Sequence, residues 1–333
     1  MMKSRLLLTT LILCIGFCLV AQQSGTCSSK GQVRRTKLVQ ETSAMPRLGN
    51  IEEFDRVIEK NPNDTTAYFY RANLKAAEDD LEGAIDDLNQ AININPNYVQ
   101  ALKYRAQLKE DLDDIEGALL DYDRVIELNP NDALAYANRA FLKDELGDTE
   151  GAMADYDKAI ELDPTDLISY LNRAIMKASS NDMQGAIEDM NKIIEVDSTM
   201  ADALYYRGTF KAYTGDYNGA IEDFNKSIEL EPENSSAYSN RALMKERTGI
   251  DGAMEDYSKA IELNPDNVTA YSNLSLLKYK SGDIQGALED ISQAISLEPD
   301  SADLYLIRSN MREEAGDYEG AKEDLEKAHE FKQ

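Results

Sequence analysis

Residues that commonly perform catalysis are scarce in this chain of 333 residues, which has one His and three Cys. Acid–base or nucleophilic catalysis near neutral pH usually uses one of these residue types. Cys14 and Cys18 lie in an apolar N-terminal run, Cys27 follows it, and His329 is close to the C-terminus. This distribution disfavours a catalytic triad or a cysteine-bearing metal site. We therefore expect no enzyme activity and no cofactor.

Carboxylates are the abundant reactive group, and clustered carboxylates can bind Ca²⁺ or serve as an acid–base pair. The nearest approaches to such a site are the pair Asp86-Asp87 and the cluster of Asp111, Asp113 and Asp114. Adjacent residues on a helix point in different directions, and EF-hand spacing is absent. A metal-dependent enzyme is thus the weaker interpretation.

Charge is unevenly distributed along the chain. Residues 1–49 contain seven basic residues and one acidic residue, a net charge of +6. Because the whole chain has a net charge of −27, residues 50–333 carry −33. A body this acidic repels phosphate backbones, which disfavours nucleic acid as a partner. We expect neutral or basic protein partners.

Residues 1–21 have the pattern of a secretory signal. Lys3 and Arg5 precede an uncharged apolar run over residues 6–20, and a small residue ends the segment at Ala21. This pattern predicts an exported protein, periplasmic or secreted. An uncleaved membrane anchor and a lipid-modified Cys are the alternatives.

Residues 22–50 are rich in Ser, Gln, Thr and basic residues, which predicts a flexible tether. After cleavage Cys27 would be the one remaining Cys, so an intramolecular disulfide is excluded. The basic arm could instead fold back on the acidic body or contact an anionic membrane surface.

Internal repetition organises everything after residue 50. Prolines recur at a spacing of 34 residues, with Ser198 in register and one residue missing in the sixth copy. Residues 51–64 form a half repeat, and residues 65–333 form eight full repeats. These begin at Thr65, Val99, Ala133, Leu167, Ala201, Ser235, Val268 and Ala302.

Each repeat has the apolar periodicity of two helices, and residues that tolerate left-handed backbone separate them. These separating residues are Asp79, Asp113, Gly147, Asn181, Gly215, Gly249, Gly282 and Gly316. A Gly-Ala pair recurs near the start of every second helix, as at Gly117-Ala118. We expect its small side chains to let the two helices approach closely, and a larger side chain to wedge them apart.

The combined pattern resembles the tetratricopeptide repeat family, with a Tyr at the fourth position of most repeats, a small residue at the eighth, the Gly-Ala pair and the closing Pro. The resemblance implies an all-α fold, a right-handed superhelical solenoid of stacked helical hairpins. It also implies a concave groove, lined by the first helices, that binds peptide segments or helices.

Charged residues replace the apolar and aromatic residues that the family usually has at the seventh and eleventh positions. Seven repeats have Arg at the seventh position, all eight have Lys or Arg at the eleventh, and every second helix has an Asp. These Asp residues are Asp87, Asp121, Asp155, Asp189, Asp223, Asp256, Asp290 and Asp324. We predict a structural ladder of Arg–Asp ion pairs that binds no partner.

The family's carboxylate clamp for peptide C-termini is only half present. Lys103 and Asn138 occupy suitable positions, whereas Ile168 and Asn172 stand where a further Lys and Arg are required. The resemblance therefore disfavours a chaperone adaptor of that type.

An apolar strip is predicted in the middle of the groove, on first-helix positions that the resemblance places on the concave face. It consists of Leu134, Phe141, Ile168, Leu171, Ile175 and Tyr205, edged by Asp144 and Asp202. A large apolar patch with a charged rim is typical of an interaction site. Packing between neighbouring helices is the alternative for some of these residues.

The predicted function is a non-catalytic scaffold or adaptor that binds a peptide or helix with apolar anchors during assembly or docking of envelope or secreted proteins. The alternative is a self-assembling structural spacer. In the eighth repeat Lys322 and His329 replace apolar stacking residues, which favours the scaffold and leaves no strong sign of a homo-oligomer. Membrane contact is expected only through the N-terminal segment.

Overall fold

A computed structural model describes residues 50–332, and this range forms seventeen α-helices without a strand, which confirms the all-α solenoid fold. The predicted signal of residues 1–21 and the tether, apart from Asn50, lie outside the described residues. The helices are α1 (Ile51–Lys60), α2 (Thr65–Ala77), α3 (Leu81–Ile94), α4 (Val99–Asp111), α5 (Ile115–Leu128), α6 (Ala133–Glu145), α7 (Thr149–Leu162), α8 (Leu167–Ser179), α9 (Met183–Val196), α10 (Ala201–Thr214), α11 (Tyr217–Leu230), α12 (Ser235–Thr248), α13 (Ala253–Leu263), α14 (Val268–Ser281), α15 (Ile284–Leu297), α16 (Ala302–Ala315) and α17 (Tyr318–Glu330).

The helices belong to two compact units. Residues 50–179 contribute α1–α8 to the first unit, and residues 180–332 contribute α9–α17 to the second. Within each unit every helix packs against the next helix in the sequence. The first helices α2, α4, α6, α8, α10, α12, α14 and α16 begin at the eight residues named above as repeat starts.

Left-handed backbone at the break inside each repeat is confirmed. Asp79, Asp113 and Asn181 have φ values of 63–67°, and the five glycines at this position have φ values of 71–92°. Among residues with a Cβ, Asp and Asn have the lowest energetic cost in this conformation. The chain therefore reverses direction at the same position in every copy.

The expected role of the recurring Gly is wrong. A Cβ added to Gly117 would lie 2.1 Å from Oδ2 of Asp114, which caps α5 by accepting a hydrogen bond from the Gly117 N–H at 3.0 Å. The same Asp cap precedes the Gly in six other second helices. The Gly thus makes room for the capping carboxylate of its own helix, and the buried Ala after it provides the close packing.

The missing residue of the sixth repeat shortens its second helix. Helix α13 has 11 residues, whereas the other second helices have 13 or 14. It begins after Gly252, whose φ is +94°, and it has no side-chain cap. The deletion is absorbed in the turn, and the next repeat regains its register.

The core contains a large apolar or aromatic residue from the same position of each second helix. At most 1% of the surface is exposed at seven of these residues: Leu88, Tyr122, Tyr156, Met190, Phe224, Tyr257 and Ile291. In α17 the equivalent Leu325 is 43% exposed. Lys322 and His329 are also exposed, as predicted for the end of the stack.

Candidate protein-binding surface

The predicted Arg–Asp ladder is confirmed in six repeats. Nε and Nη2 of Arg139 donate to the two carboxylate oxygens of Asp155 at 2.8 and 2.6 Å. The same bidentate pair joins Arg71 to Asp87, Arg105 to Asp121, Arg207 to Asp223, Arg241 to Asp256 and Arg308 to Asp324. Arg173 and its predicted partner Asp189 belong to different units.

Each arginine also joins its repeat to the one before. Nη1 of Arg139 lies 2.8 Å from Oδ1 of Asp123 on α5. The Arg139 guanidinium carbon lies 5.4 Å from the centroid of the Tyr136 ring. Lys143 binds the same Asp155 carboxylate at 2.8 Å. The paired Asp side chains are only 2–7% exposed, so a partner could not reach them. Their burial supports the structural interpretation of the ladder.

The clamp residues are engaged within the first unit. Nζ of Lys103 donates to both carboxylate oxygens of Asp132 at 3.2 and 2.9 Å. Asn138 donates to the Tyr122 hydroxyl at 3.2 Å, and Asn172 donates in the same way to the Tyr156 hydroxyl at 3.1 Å. These side chains hold adjacent helices together, which leaves no preformed carboxylate clamp at these positions.

The predicted apolar strip is only partly accessible. Phe141 and Leu171 are 7% and 1% exposed, so their expected exposure is wrong: both pack inside the fold. Leu134, Ile168 and Ile175 are half-buried and retain some accessible surface.

The remaining members of the strip are all half-buried. Asp144 lies in the first unit with the aliphatic residues, and burial raises the pKa of its carboxyl. Tyr205 and Asp202 lie in the second unit. The Tyr205 hydroxyl accepts a hydrogen bond from Asn240 at 3.3 Å, and its ring lies 6.0 Å from that of Phe224.

A group of aromatic rings that the sequence reasoning missed lies at the start of the first unit. The N-terminal aromatic cluster consists of Phe54, Phe69, Tyr70, Tyr98 and Tyr104. Phe54 stacks on Tyr70 with 5.9 Å between ring centroids, and Phe69 contacts the other three rings at 5.4–6.1 Å. Tyr104 is buried, while the other four side chains are half-buried.

Burial dominates the electrostatics of this cluster. It raises the pKa of Tyr98, with Tyr70 and Asp64 adding to the effect, and it raises the pKa of Tyr104 together with Asp111. The phenols therefore stay neutral and can donate or accept hydrogen bonds beside apolar ring faces. The run Tyr68-Phe69-Tyr70 was the available signal in the sequence, because it places two rings beyond the repeat's usual one.

Other kinds of site lack support in the described part of the chain. Among residues 50–332, no group of three or more His, Cys, Asp and Glu side chains is placed to hold a metal ion. Within the same range no helix has the length and apolar character needed to cross a membrane.

Sequence comparison identifies the repeats by family. Models described as tetratricopeptide repeat match residues 121–154, 201–234 and 272–331, and one described as TPR repeat matches residues 250–282. No curated protein matches the sequence.

Solved structures share the fold at low identity. The C-terminal part of a TPR repeat-containing protein from Cytophaga hutchinsonii is 20% identical, with a TM-score of 0.60, and the match covers 71% of this chain and 97% of that one. A tetratricopeptide repeat protein from Parabacteroides merdae is 20% identical, with a TM-score of 0.53 and coverage of 84% and 99%. PilF of Pseudomonas aeruginosa is 22% identical, with a TM-score of 0.52 and coverage of 58% and 88%.

Proposed function

The chain is a tetratricopeptide repeat protein, and we propose that it is a scaffold that binds a peptide or helix of a partner protein on α1 and the first helices of its N-terminal unit. Repeats of this family are generally non-catalytic interaction modules. The observation that carries the proposal is the N-terminal aromatic cluster, defined above.

The composition of the cluster suits a binding surface. Aromatic residues are enriched at the centre of protein interfaces, where rigid rings bury large area at little entropic cost. Phe54 and Tyr70 are half-buried and stack on each other, while Phe69 and Tyr98 also pack on buried core residues. A ligand would therefore meet rings that the fold already holds in place.

The predicted apolar strip would extend this surface along the first helices. Leu134, Ile168 and Ile175 are half-buried aliphatic residues of the same unit. We include them in the proposal with the rim residue Asp144.

Charge defines the partner's chemistry. The region after residue 49 carries −33, so a neutral or basic segment with apolar anchors is favoured, and electrostatic steering would speed its association at low salt. Binding should weaken as salt concentration increases.

The cellular place of this interaction is part of the proposal. The signal pattern of residues 1–21 supports assembly or docking of envelope or secreted proteins. Fractionation of cells that express the full chain tests this, with a chain that lacks residues 1–21 as control. Full-length protein found only in the cytoplasm would contradict export.

Binding is tested by selecting peptides from a random library on the immobilised full chain and measuring their affinities for variants. We expect Tyr70→Ala and Phe54→Ala to weaken binding by about tenfold or more, as interface anchors do. Leu120→Ala is the matched control, because Leu120 is 69% exposed on α5, outside the aromatic cluster. Equal affinity in all variants would contradict the assignment, and concentration-dependent filaments in sedimentation would favour the spacer alternative.

A further inference from the structure

The Arg–Asp ladder has one gap within the second unit. At the position of the ladder arginine the seventh repeat has Leu274, which is 4% exposed. All other parts of the ladder remain: Tyr271 three residues earlier, Lys278 four residues later and Asp290 sixteen residues later. The repeat therefore retains the residues that surround the arginine in other repeats, although the arginine itself is replaced.

The aspartate at the gap differs from its counterparts in the other repeats. The Asp290 side chain is 14% exposed, against 2–7% for the six Asp residues paired with arginine. Lys278 forms an ion pair with Oδ2 at 2.7 Å, and burial raises the pKa of this carboxyl despite the lysine. Among residues 50–332, no side chain donates a hydrogen bond to Oδ1 of Asp290. In the six complete repeats the equivalent Oδ1 accepts from Nη2 of the arginine.

Lysine does not substitute for the absent arginine. In the complete repeats one carboxylate binds both cations, as Asp256 binds Arg241 and Lys245 at 2.5 and 2.8 Å. The geometry of the ladder therefore leaves a place for a second cation on Asp290.

The residue at the gap that corresponds to the hydrogen-bond acceptor of arginine Nη1 is also exposed. In the repeat that follows, Nη1 of Arg308 donates to Ser292 at 3.2 Å, and the equivalent residue at the gap is Ser258 on α13. Ser258 is exposed, whereas Ser292 is half-buried. Its hydroxyl donates to the Met254 carbonyl at 2.8 Å, which leaves its own oxygen able to accept a hydrogen bond.

Open space accompanies these uncovered groups. A pocket of about 540 Å³ between α13 and α14 is lined by Met254, Ser258, Leu274 and Lys278, together with charged residues of α13. The α13 charges are Glu255, Glu262 and Lys259, and Lys259 pairs with Glu262 at 2.7 Å. With Asp290 counted, this neighbourhood has one more negative than positive charge, which suits a cation.

We propose that the pocket lined by Ser258, Leu274 and Lys278, whose Nζ lies 2.7 Å from Asp290, is a binding socket for a guanidinium group supplied from outside the chain. A guanidinium presents paired donors along each edge, so one edge can donate to Oδ1 of Asp290 and to the Ser258 hydroxyl, as the two terminal nitrogens of Arg308 do to Asp324 and Ser292. The Tyr271 ring adds a face of the kind on which five of the seven arginines at this position stack at 5.2–5.5 Å. The socket is distinct from the N-terminal aromatic cluster.

Calorimetric titration of the full-length protein tests the socket with N-acetyl-arginine amide as the probe. The amides of N-acetyl-lysine and N-acetyl-citrulline serve as the cationic and neutral comparisons. We expect one site per chain and an affinity for the arginine probe about tenfold or more above both, because lysine lacks the planar paired donors and citrulline lacks the positive charge. Equal binding of all three probes, or none, would overturn the proposal.

Two variants fix the location. Leu274→Arg should fill the socket with the chain's own guanidinium, raise the melting temperature and lower the probe's affinity about tenfold or more. Asp290→Asn should lower the affinity by a similar factor while the protein stays folded, which keeps the test decisive if Leu274→Arg misfolds. Leu120→Arg adds the same charge at an exposed site and should bind as the unmodified protein does.

A short peptide with one arginine flanked by glycine and serine separates the two sources of the ligand. Affinity equal to that of the free amide indicates recognition of an isolated guanidinium, and tighter binding indicates an arginine within a partner segment. Tyr70→Ala should bind the probe normally, so failure of the aromatic-cluster proposal would be distinguishable. Retained binding in both Leu274→Arg and Asp290→Asn would refute the socket.

Discussion

The guanidinium of Arg207 donates hydrogen bonds from Nε and Nη2 to both carboxylate oxygens of Asp223, at 2.9 and 2.6 Å. Its third nitrogen donates to Asn191 at 2.8 Å, so one side chain ties α10 to both α9 and α11. Because this arrangement recurs along the stack, the ladder couples neighbouring repeats as well as the two helices of each hairpin.

Removing one carboxylate from the complete ladder should be costly. Asp223→Asn removes a buried anion from the half-buried Arg207 and the adjacent Lys211, and we expect a loss of about 3 kcal/mol in unfolding free energy. Asp290→Asn, at the same position of the seventh repeat, should lose less than about 1 kcal/mol because no arginine depends on it. Chemical denaturation followed by circular dichroism measures both, and equal losses would contradict the structural role of the pair.

Asp290 should also make stability depend on pH. Burial raises the pKa of its carboxyl above the usual value of 3.8, so the fold disfavours the ionised form. Its contribution to stability is complete below the unfolded pKa and is lost as pH rises through the folded pKa. The melting temperature of the unmodified protein should therefore fall relative to that of Asp290→Asn as the pH rises from about 3 to about 7. A constant or reversed difference would disprove this.

A double-mutant cycle tests why Gly117 is glycine. Asp114→Ala should cost about 1 kcal/mol through loss of the helix cap. Gly117→Ala displaces the same cap but gains helix propensity, so alone it should change stability little. In the Asp114→Ala background it should stabilise by up to about 1 kcal/mol. Destabilisation in both backgrounds would instead support the wedge between helices that the sequence predicted.

Two buried tyrosines at equivalent positions should respond in opposite ways to loss of the hydroxyl. The Tyr122 hydroxyl donates to Glu110 at 2.8 Å, so Tyr122→Phe should cost about 1–3 kcal/mol. The fully buried Tyr257 hydroxyl has Asn273 beside it but no hydrogen bond, so Tyr257→Phe should be neutral or stabilising. Thermal unfolding of the two variants compares them, and a similar loss in both would contradict the contrast.

The apolar strip separates into support and surface. Leu171→Ala creates a cavity at a residue that is 1% exposed and should cost about 2–5 kcal/mol. Ile175→Glu, one turn further along α8 at a half-buried position, should keep the fold and lose binding of selected peptides. If Ile175→Glu unfolds the protein, or folds and binds as before, Ile175 is not part of the binding surface.

Much of the architecture follows from the sequence because the same local requirements recur eight times. The left-handed residues such as Asp79 and Gly147 mark each break by backbone sterics alone. Arg139 and Asp155 were paired correctly because a short turn places the seventh position of one helix beside a fixed position of the next. Local sterics and short-range connectivity depend on nearby residues, so a sequence pattern is sufficient to predict them.

Only the tertiary structure decided which of these residues a partner could reach. Phe141 and Leu171 have the same apolar character as Ile175, yet helix packing buries the first two and leaves the third half-exposed. The rings of Phe54 and Tyr70 meet although sixteen positions separate them, and the pocket beside Leu274 combines Ser258 and Lys278 from two different helices. Exposure and contact between distant residues depend on how whole helices cover one another, and no single repeat contains that information.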